Sequence, residues 1–325
     1  MNAFKGCLIL ASLLYGIFVD STFWKIYGAV VACYFVFVLW QRDGRENPKR
    51  KTLLISTWNQ PSDPTAYVVN EYQMDNAMDF VKKCNADQKD VHITMTHAIT
   101  LSCAWGLYKM RRDVGRLPFG TFKHSKRIGV TVLVDVEGGK DLVPVTIWDA
   151  HKMSIFEVGK IITEKVQRAK SGKDDRHNKA TAAANYIPSF VAQPFAFALT
   201  YLSATVGINL GFLGLRNDAF GHVVITNVGP MGYNSAFAPL CPPVHQIALI
   251  CTGKIDKRAI VDKEDGDKIK VANMMTCVSA GDHRYGDAAI MQPFFVTMRG
   301  YMEGPADFDE KKYKDVPHHK EVKQE

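Results

Sequence analysis

Two charge-free stretches near the start of the chain constrain its fold most: residues 7–19 (CLILASLLYGIFV) and 26–40 (IYGAVVACYFVFVLW). A helix without a polar face must bury its whole circumference, in lipid or in a protein core. Asp20, Ser21 and Thr22 separate the two stretches and read as a turn or a helix N-cap. A 15-residue helix is about 22 Å long, short of the ~30 Å hydrocarbon layer. Extending the second stretch back to Phe23, with Lys25 reaching for the interface, makes a span feasible. Trp24, Tyr27 and Trp40 then sit near its ends, where aromatic belts occur. Three arrangements remain open. One is a helical hairpin in the membrane. The second is a cleaved signal peptide, with Lys5 at its charged start and cleavage near Asp20, followed by a single span. The third is a buried helix pair of a soluble protein.

The position of the charge bears on the choice. The 325-residue chain has a formal net charge of +7, with 40 Lys+Arg against 33 Asp+Glu. Residues 1–51 contribute +4 of it, through Lys5, Lys25, Arg42, Arg45, Lys49, Arg50 and Lys51 against Asp20, Asp43 and Glu46. A basic flank directly after an apolar segment sets the large C-terminal part on the cytoplasmic or matrix side. No basic stripe is left in the body, so nucleic-acid binding is not expected. No Asn-x-Ser/Thr acceptor occurs, and seven cysteines without a Cys-x-x-Cys pair fit a reducing compartment and give no support to a zinc site. With 47 % apolar and 22 % charged residues, the chain as a whole is not disordered.

Beyond Lys51, strands and helices mix. Residues 128–136 (IGVTVLVDV) alternate and are rich in β-branched side chains, and 143–148 read as a second short strand. Ser154 and Glu157 form a capping box ahead of Ile155, Val158, Ile161, Ile162 and Val166 at helical spacing. Residues 75–83 and 94–110 also read as helices. Strands follow at 222–227, 246–253 and 269–279, and a helix at 290–302 closes the domain. No glycine-rich phosphate loop follows a strand, so an α+β sandwich fits better than a Rossmann or P-loop fold. Residues 167–185 form a polar loop, and 186–215 contain no charged residue at all. Pro188, Pro194 and scattered glycines in the latter argue against a clean membrane helix. It reads either as buried core or subunit-contact helices, or as a membrane-surface or lipid-substrate contact. The tail from 303 is charged, and His318 and His319 make a poor metal site.

The chemistry-bearing residues cluster in two places. In SAGDHRYGDA (279–288) a strand runs into Gly281 and delivers His283, flanked by Asp282 and Arg284, with Asp287 four residues on. A histidine at a strand end is suited to general-base work because its pKa lies near working pH. In FGHVVITNVGPMG (220–232) a strand ends at Thr226 and Asn227 before a glycine-rich turn. A threonine hydroxyl there is placed to donate to a developing oxyanion.

These segments resemble the catalytic domain of the 2-oxo-acid dehydrogenase acyltransferases (dihydrolipoamide acyltransferases), which share the chloramphenicol acetyltransferase-like fold. The family's Asp-His-Arg-x-x-Asp-Gly-Ala reads Asp282-His283-Arg284-Tyr285-Gly286-Asp287-Ala288-Ala289. Its Ile-Ser/Thr-Asn-x-Gly reads Ile225-Thr226-Asn227-Val228-Gly229. Its Phe-Ala-Pro and Pro-Pro read Phe237-Ala238-Pro239 and Pro242-Pro243, ahead of the apolar strand that ends in Gly253. Val143-Pro144-Val145, Asp149-Ala150 and Lys152-Met153-Ser154-Ile155 resemble its strand-to-helix stretch, and 94–107 its threonine-led helix. The likeness runs in order over residues 48–302.

The resemblance implies an α+β sandwich of a mixed sheet with helices, assembled as a homotrimer with the active site between subunits. It implies an acyl transfer with a coenzyme A thioester as co-substrate and no metal. His283 would be the base, Thr226 the oxyanion stabiliser and Asp287 a structural aspartate held in an ion pair. Asn227 and Arg284 are the candidate coenzyme A contacts, with Lys254 a further one. Three features depart from the pattern. Ala288 replaces a glycine. The early Arg-x-x-x-Ala-x-Arg pattern survives only as Arg50-Lys51, with Ser56-Thr57-Trp58 where a second arginine would stand. A membrane anchor at 1–46 is expected in place of lipoyl and subunit-binding domains. The expected organisation is therefore that anchor, a catalytic domain over 47–302 and a charged tail over 303–325. The expected function is membrane-anchored acyl transfer from coenzyme A to a thiol or hydroxyl acceptor, and the alternative is an inactive trimeric scaffold in a membrane assembly.

Overall fold

The computed structural model describes residues 21–41, 63–88, 90–135, 142–171, 197–208, 210, 220–240, 244–262 and 265–308. Helix α1 (Ser21–Gln41) covers the second apolar stretch, with Lys25 as its only charged residue. Trp24, Ile26, Val30, Tyr34 and Val36 on it are all exposed. The first stretch, 7–19, lies outside the described residues. Among the described residues no helix is long and apolar enough to cross a membrane, so the expected span has no support in the fold.

The body is built on a six-stranded mixed sheet. In chain order its strands are β1 (Thr65–Gln73), β4 (Gly129–Asp135), β5 (Leu142–Trp148), β6 (Val223–Asn227), β7 (Ala248–Asp262) and β8 (Lys268–Asp282). A two-stranded ribbon, β2 (Gly115–Arg116) with β3 (Lys123–His124), stands apart from it. The order across the sheet is β1-β8-β7-β6-β4-β5. β6 pairs in parallel with β4 and β7, whereas the β1–β8, β7–β8 and β4–β5 pairs are antiparallel. The sheet is thus parallel at its centre and antiparallel at both margins.

Helices α2 (Asp75–Asp87), α3 (Met95–Lys109), α4 (Ile155–Lys170) and α5 (Ala288–Glu303) form the second layer. Val130, Val132, Val145, Ile147, Val223, Ile225, Ala248 and Ile250 alternate along the strands to meet that layer in one core cluster. α3 is its centre and is buried almost all round, as its apolar sequence predicts. The expected capping box opens α4: the Ser154 N–H donates to Glu157 Oε2 at 2.7 Å, and the Glu157 N–H to Ser154 Oγ at 3.3 Å. On the opposite face of the sheet a smaller cluster of Val224, Leu249, Cys251, Val278 and Ala280 lies under Val228, Ala236, Ala238 and Leu240. One helical layer on one face of a mixed sheet is the expected α+β sandwich.

Two expectations need correction. β7 runs well past the apolar stretch predicted at 246–253 and forms a long hairpin with β8, which covers the strand predicted at 269–279; a register shift falls between Thr252 and Ile255. The outer half of β7 carries Lys254, Asp256, Lys257 and Arg258 because it leaves the helical layer, so burial no longer selects apolar residues. β1 was not predicted at all. It lies at the edge of the sheet, and only Tyr72 along it is fully buried.

Candidate active site

The turn that presents His283 is fixed from both sides. β8 ends at Asp282, whose N–H donates to the Ile247 carbonyl at 2.9 Å. The Arg284 guanidinium folds back on the Asp282 carboxylate, with Nη2 2.7 Å from Oδ2 and Nε 3.0 Å from Oδ1. The Arg284 N–H also donates to Oδ1, at 3.0 Å. Only 11 % of the Arg284 side chain and 3 % of the Asp282 side chain are exposed. Burial opposes the guanidinium charge, but the Asp282 carboxylate outweighs it and holds the Arg284 pKa above its ordinary value. Next, the Tyr285 N–H donates to the Asp282 carbonyl at 3.0 Å. The buried Tyr285 hydroxyl donates to the His245 carbonyl at 2.9 Å. His283 stands between these anchors, half-buried, with its N–H donating to the Pro64 carbonyl at 2.9 Å. The expectation of Arg284 on a coenzyme A phosphate is not favoured by a guanidinium engaged in this way.

Asp287 is the N-cap of α5. Its Oδ1 accepts from the N–H groups of Ala289 and Ile290, both at 3.1 Å. Ala288, which replaces a family glycine, is the first residue of the helix and is not among the residues with positive φ. Its Cβ is therefore harmless, and the replacement of glycine puts no strain on the turn. The close contact sits one place earlier than the cap, where a Cβ on Gly286 would come within 2.7 Å of Ile290 Cγ2.

Thr226 pairs with Cys251 at the exit of β6. By alternation it shares the face of Val224, away from the helices, while Asn227 turns toward them. Asn227 Nδ2 lies 3.4 Å from Thr96 Oγ1 at the start of α3, and its Oδ1 accepts the Gly229 N–H at 2.9 Å. The asparagine thus shapes the turn after the strand. The loop that follows crosses Gly253 so closely that a Cβ there would lie 1.8 Å from the Asn234 carbonyl oxygen.

Thr226 and His283 do not meet within one chain. β6 runs parallel to β7, and β7 antiparallel to β8, so the two residues leave opposite ends of the sheet. Thr226 is level with Cys251, and His283 follows Asp282, which is hydrogen-bonded to Ile247. At ~3.3 Å per residue and ~4.8 Å per strand, they stand about 16 Å apart along the strands and about 10 Å across them. Each site end is accompanied by exposed apolar residues. Met231, Tyr233 and Phe237 follow Thr226, and Tyr67, on the strand beside β8, meets the Phe237 ring at 5.4 Å.

Two elements of the site escaped the sequence reading. The Asp282–Arg284 pair had a signal, opposite charges two residues apart across a turn. The contact of Tyr285 with His245 spans forty residues and had none.

The sequence profile of the family described as "2-oxoacid dehydrogenases acyltransferase (catalytic domain)" matches residues 51–181 and 216–308. No curated protein matches the chain significantly. Among solved structures, a probable dihydrolipoamide acetyltransferase from Listeria monocytogenes superposes with a TM-score of 0.56 at 13 % identity, over 80 % of this chain and 92 % of that one. The cubic core of a pyruvate dehydrogenase multienzyme complex gives 0.54 at 15 %, over 79 % and 85 %. A dihydrolipoamide acetyltransferase of Azotobacter vinelandii gives the same values; there the catalytic roles of a serine, a histidine and an asparagine were investigated. At these identities the structural likeness shows the fold, while the profile match spans more than half of the chain. The chain belongs to the family of 2-oxoacid dehydrogenase acyltransferase catalytic domains, and it is an acyltransferase of that type.

Proposed function

We propose that the protein transfers an acyl group between a coenzyme A thioester and a thiol or hydroxyl acceptor, as a homotrimer with His283 of one subunit facing Thr226 of the next. The separation of Thr226 from His283 carries this reading. Both residues stand at strand ends with well-built turns behind them, and neither has the other within reach in its own chain. A neighbouring copy supplies the missing half, and the exposed Tyr67, Tyr233 and Phe237 are apolar surface suited to its approach. The fold neighbour from the cubic core of a multienzyme complex is consistent with such assembly.

In the proposed reaction, the His283 imidazole takes the proton of the acceptor thiol or hydroxyl as its sulfur or oxygen attacks the thioester carbonyl. The Thr226 hydroxyl donates to the resulting oxyanion, a contact worth about 3 kcal/mol of barrier. The tetrahedral adduct then expels the coenzyme A thiolate, which receives the proton from imidazolium. Asp282, Arg284 and Tyr285 hold the base in place, and Asn227 and Asp287 hold the two turns. Arg284 has no role on coenzyme A in this scheme. The alternative of an inactive scaffold loses one of its two arguments, since Ala288 fits the first turn of α5, and keeps the other, the missing second arginine near residues 56–58.

Attachment to a membrane through residues 1–46, with the domain on the cytoplasmic or matrix side, is part of the proposal. It is supported by the charge-free stretches, the apolar side chains exposed along α1 and the basic flank at 42–51. The decisive experiment is a panel of acyl-coenzyme A thioesters and thiol acceptors, with mass detection of the acylated product. His283→Ala is expected to slow transfer at least ~100-fold, and equal rates in variant and parent overturn the reading. Flotation of the full chain with liposomes tests the attachment, and a chain that stays at the bottom of the gradient rejects it.

A further inference from the structure

A second histidine lies behind the His283 turn, and its surroundings are unusual in three respects. His245 is 3 % exposed and adopts φ +54, a left-handed conformation in a residue other than glycine. Its Nε2 lies 2.7 Å from Thr205 Oγ1. Thr205 belongs to the six-residue π-helix Tyr201–Val206, which lies within the described residues 197–208 of the charge-free stretch 186–215. That helix buries two hydroxyl side chains beside Ala204. Ser203 and Thr205 are buried, while Phe197 in the preceding turn, Leu202 and Ile208 are exposed. Its inner side also packs on the turn Pro118–Gly120, where Phe119 is held at φ +51. Two strained residues and a π-helix therefore converge on one place. Both features are costly and persist where the surroundings over-determine them, which is the pattern of a site under functional constraint.

The other end of this arrangement is the His283 turn itself, because the His245 carbonyl accepts the Tyr285 hydroxyl at 2.9 Å. Burial, followed by the Arg284 and Arg116 charges, holds the His245 pKa down to about 4, so the ring is neutral at working pH. His245 Nδ1 is buried and has no hydrogen-bond partner among the described residues. A buried N–H without an acceptor is the rarer and costlier orphan, so we assign the proton to Nε2, donating to Thr205. A directed chain results: Thr205 accepts from the His245 ring, the His245 carbonyl accepts from Tyr285, and Tyr285 lies two residues from His283.

We propose that His245 is a positioning residue for the base, tying the π-helix of the charge-free segment to the His283 turn, so that displacement of that helix is felt at the imidazole of His283. This rests on the reading of His283 as the base. His245 touches neither the acyl group nor the acceptor. Its left-handed backbone sets the carbonyl toward Tyr285, and its ring sets the same residue against Thr205.

The test measures His283 in two ways on the full chain. One is kcat and KM for acyl transfer. The other is the rate at which diethyl pyrocarbonate modifies His283, read by mass spectrometry and independent of turnover. Thr205→Val removes the hydroxyl at constant volume and is expected to lower kcat between about 5-fold and 100-fold with KM unchanged, the range for a misplaced catalytic group. His283 modification should change at least about 3-fold in the same variant, and Thr205→Ser should restore both. His245→Asn, which tolerates the left-handed backbone, should reproduce the Thr205→Val effect. If either variant fails to fold by circular dichroism, Tyr285→Phe cuts the same chain at its last bond and is scored alike. Folded variants with kcat and His283 modification within twofold of the parent overturn the proposal. A parent without acyl transfer, whose His283 modification still responds to Thr205→Val and recovers with Thr205→Ser, refutes the catalytic reading and sustains the positioning role.

Discussion

The guanidinium of Arg284 is locked onto the carboxylate of Asp282 two residues before it, at 2.7 Å and nearly out of contact with solvent. A buried pair of this kind is costly to break from one side, because the remaining charge keeps its desolvation without its partner. Asp282→Asn is expected to cost about 3 kcal/mol in chemical denaturation. Arg284→Lys, which cannot form the fork, should lose part of the same stability and lower kcat through a loosened turn. Stability within error of the parent in both variants would show that the pair does not hold the turn.

The proposed sharing of the site between subunits makes a complementation prediction. Trimers of His283→Ala alone and of Thr226→Ala alone should each be impaired about 100-fold or more. Mixed trimers from co-expression contain some interfaces with an intact Thr226 facing an intact His283, so a measurable share of parental activity should return. Activity no higher than that of the separate variants would mean that the two residues are never completed by a neighbour.

Acid stability follows from three buried histidines. His97, His222 and His245 are each held down to about 4, chiefly by burial. Their unfolded-chain value is about 6.5. Between about 6.5 and 4 the unfolded chain therefore binds more protons than the folded one, and stability falls as pH is lowered through that window. The slope is up to about 1.4 kcal/mol per pH unit for each histidine. His222 Nδ1 accepts the Gly129 N–H at 3.1 Å, a role that an asparagine oxygen can take over. His222→Asn should therefore flatten the loss of Tm between pH 6.5 and 4 by about one third, and an unchanged slope would contradict a neutral His222.

Asp287 acts here as a helix cap, and its replacement should follow cap preferences. Asp287→Ala is expected to cost about 1 kcal/mol, and Asp287→Asn or Asp287→Ser much less. Urea unfolding of the three variants distinguishes this from an ion-pair role, in which asparagine and serine would be as damaging as alanine.

Much of the architecture was legible in local pattern. The alternation at 128–136, the capping box at Ser154 and the apolar run at 94–110 each became the element that they predict. Edge strand β1 was missed because its outer side chains are exposed, so burial left no periodic mark. The charged outer half of β7 was missed for the same reason. Within the candidate site, His283, Thr226, Asn227 and Asp287 stood out through motif spacing. His245 and Thr205 did not, because nothing in their own neighbourhoods distinguishes them.

By itself the sequence determined most of the strands and helices, where the chain turns, and which residues are candidates to move a proton or meet an oxyanion. Those properties depend on side chains within a few positions of one another. The tertiary structure decided that Thr226 and His283 leave opposite ends of the sheet, that Arg284 is engaged by Asp282, and that Ala288 sits harmlessly in a helix. It also decided that a strained histidine joins a distant π-helix to the His283 turn. Such relations depend on the order and direction in which remote strands pair, and that pairing is set by the packing of the whole core.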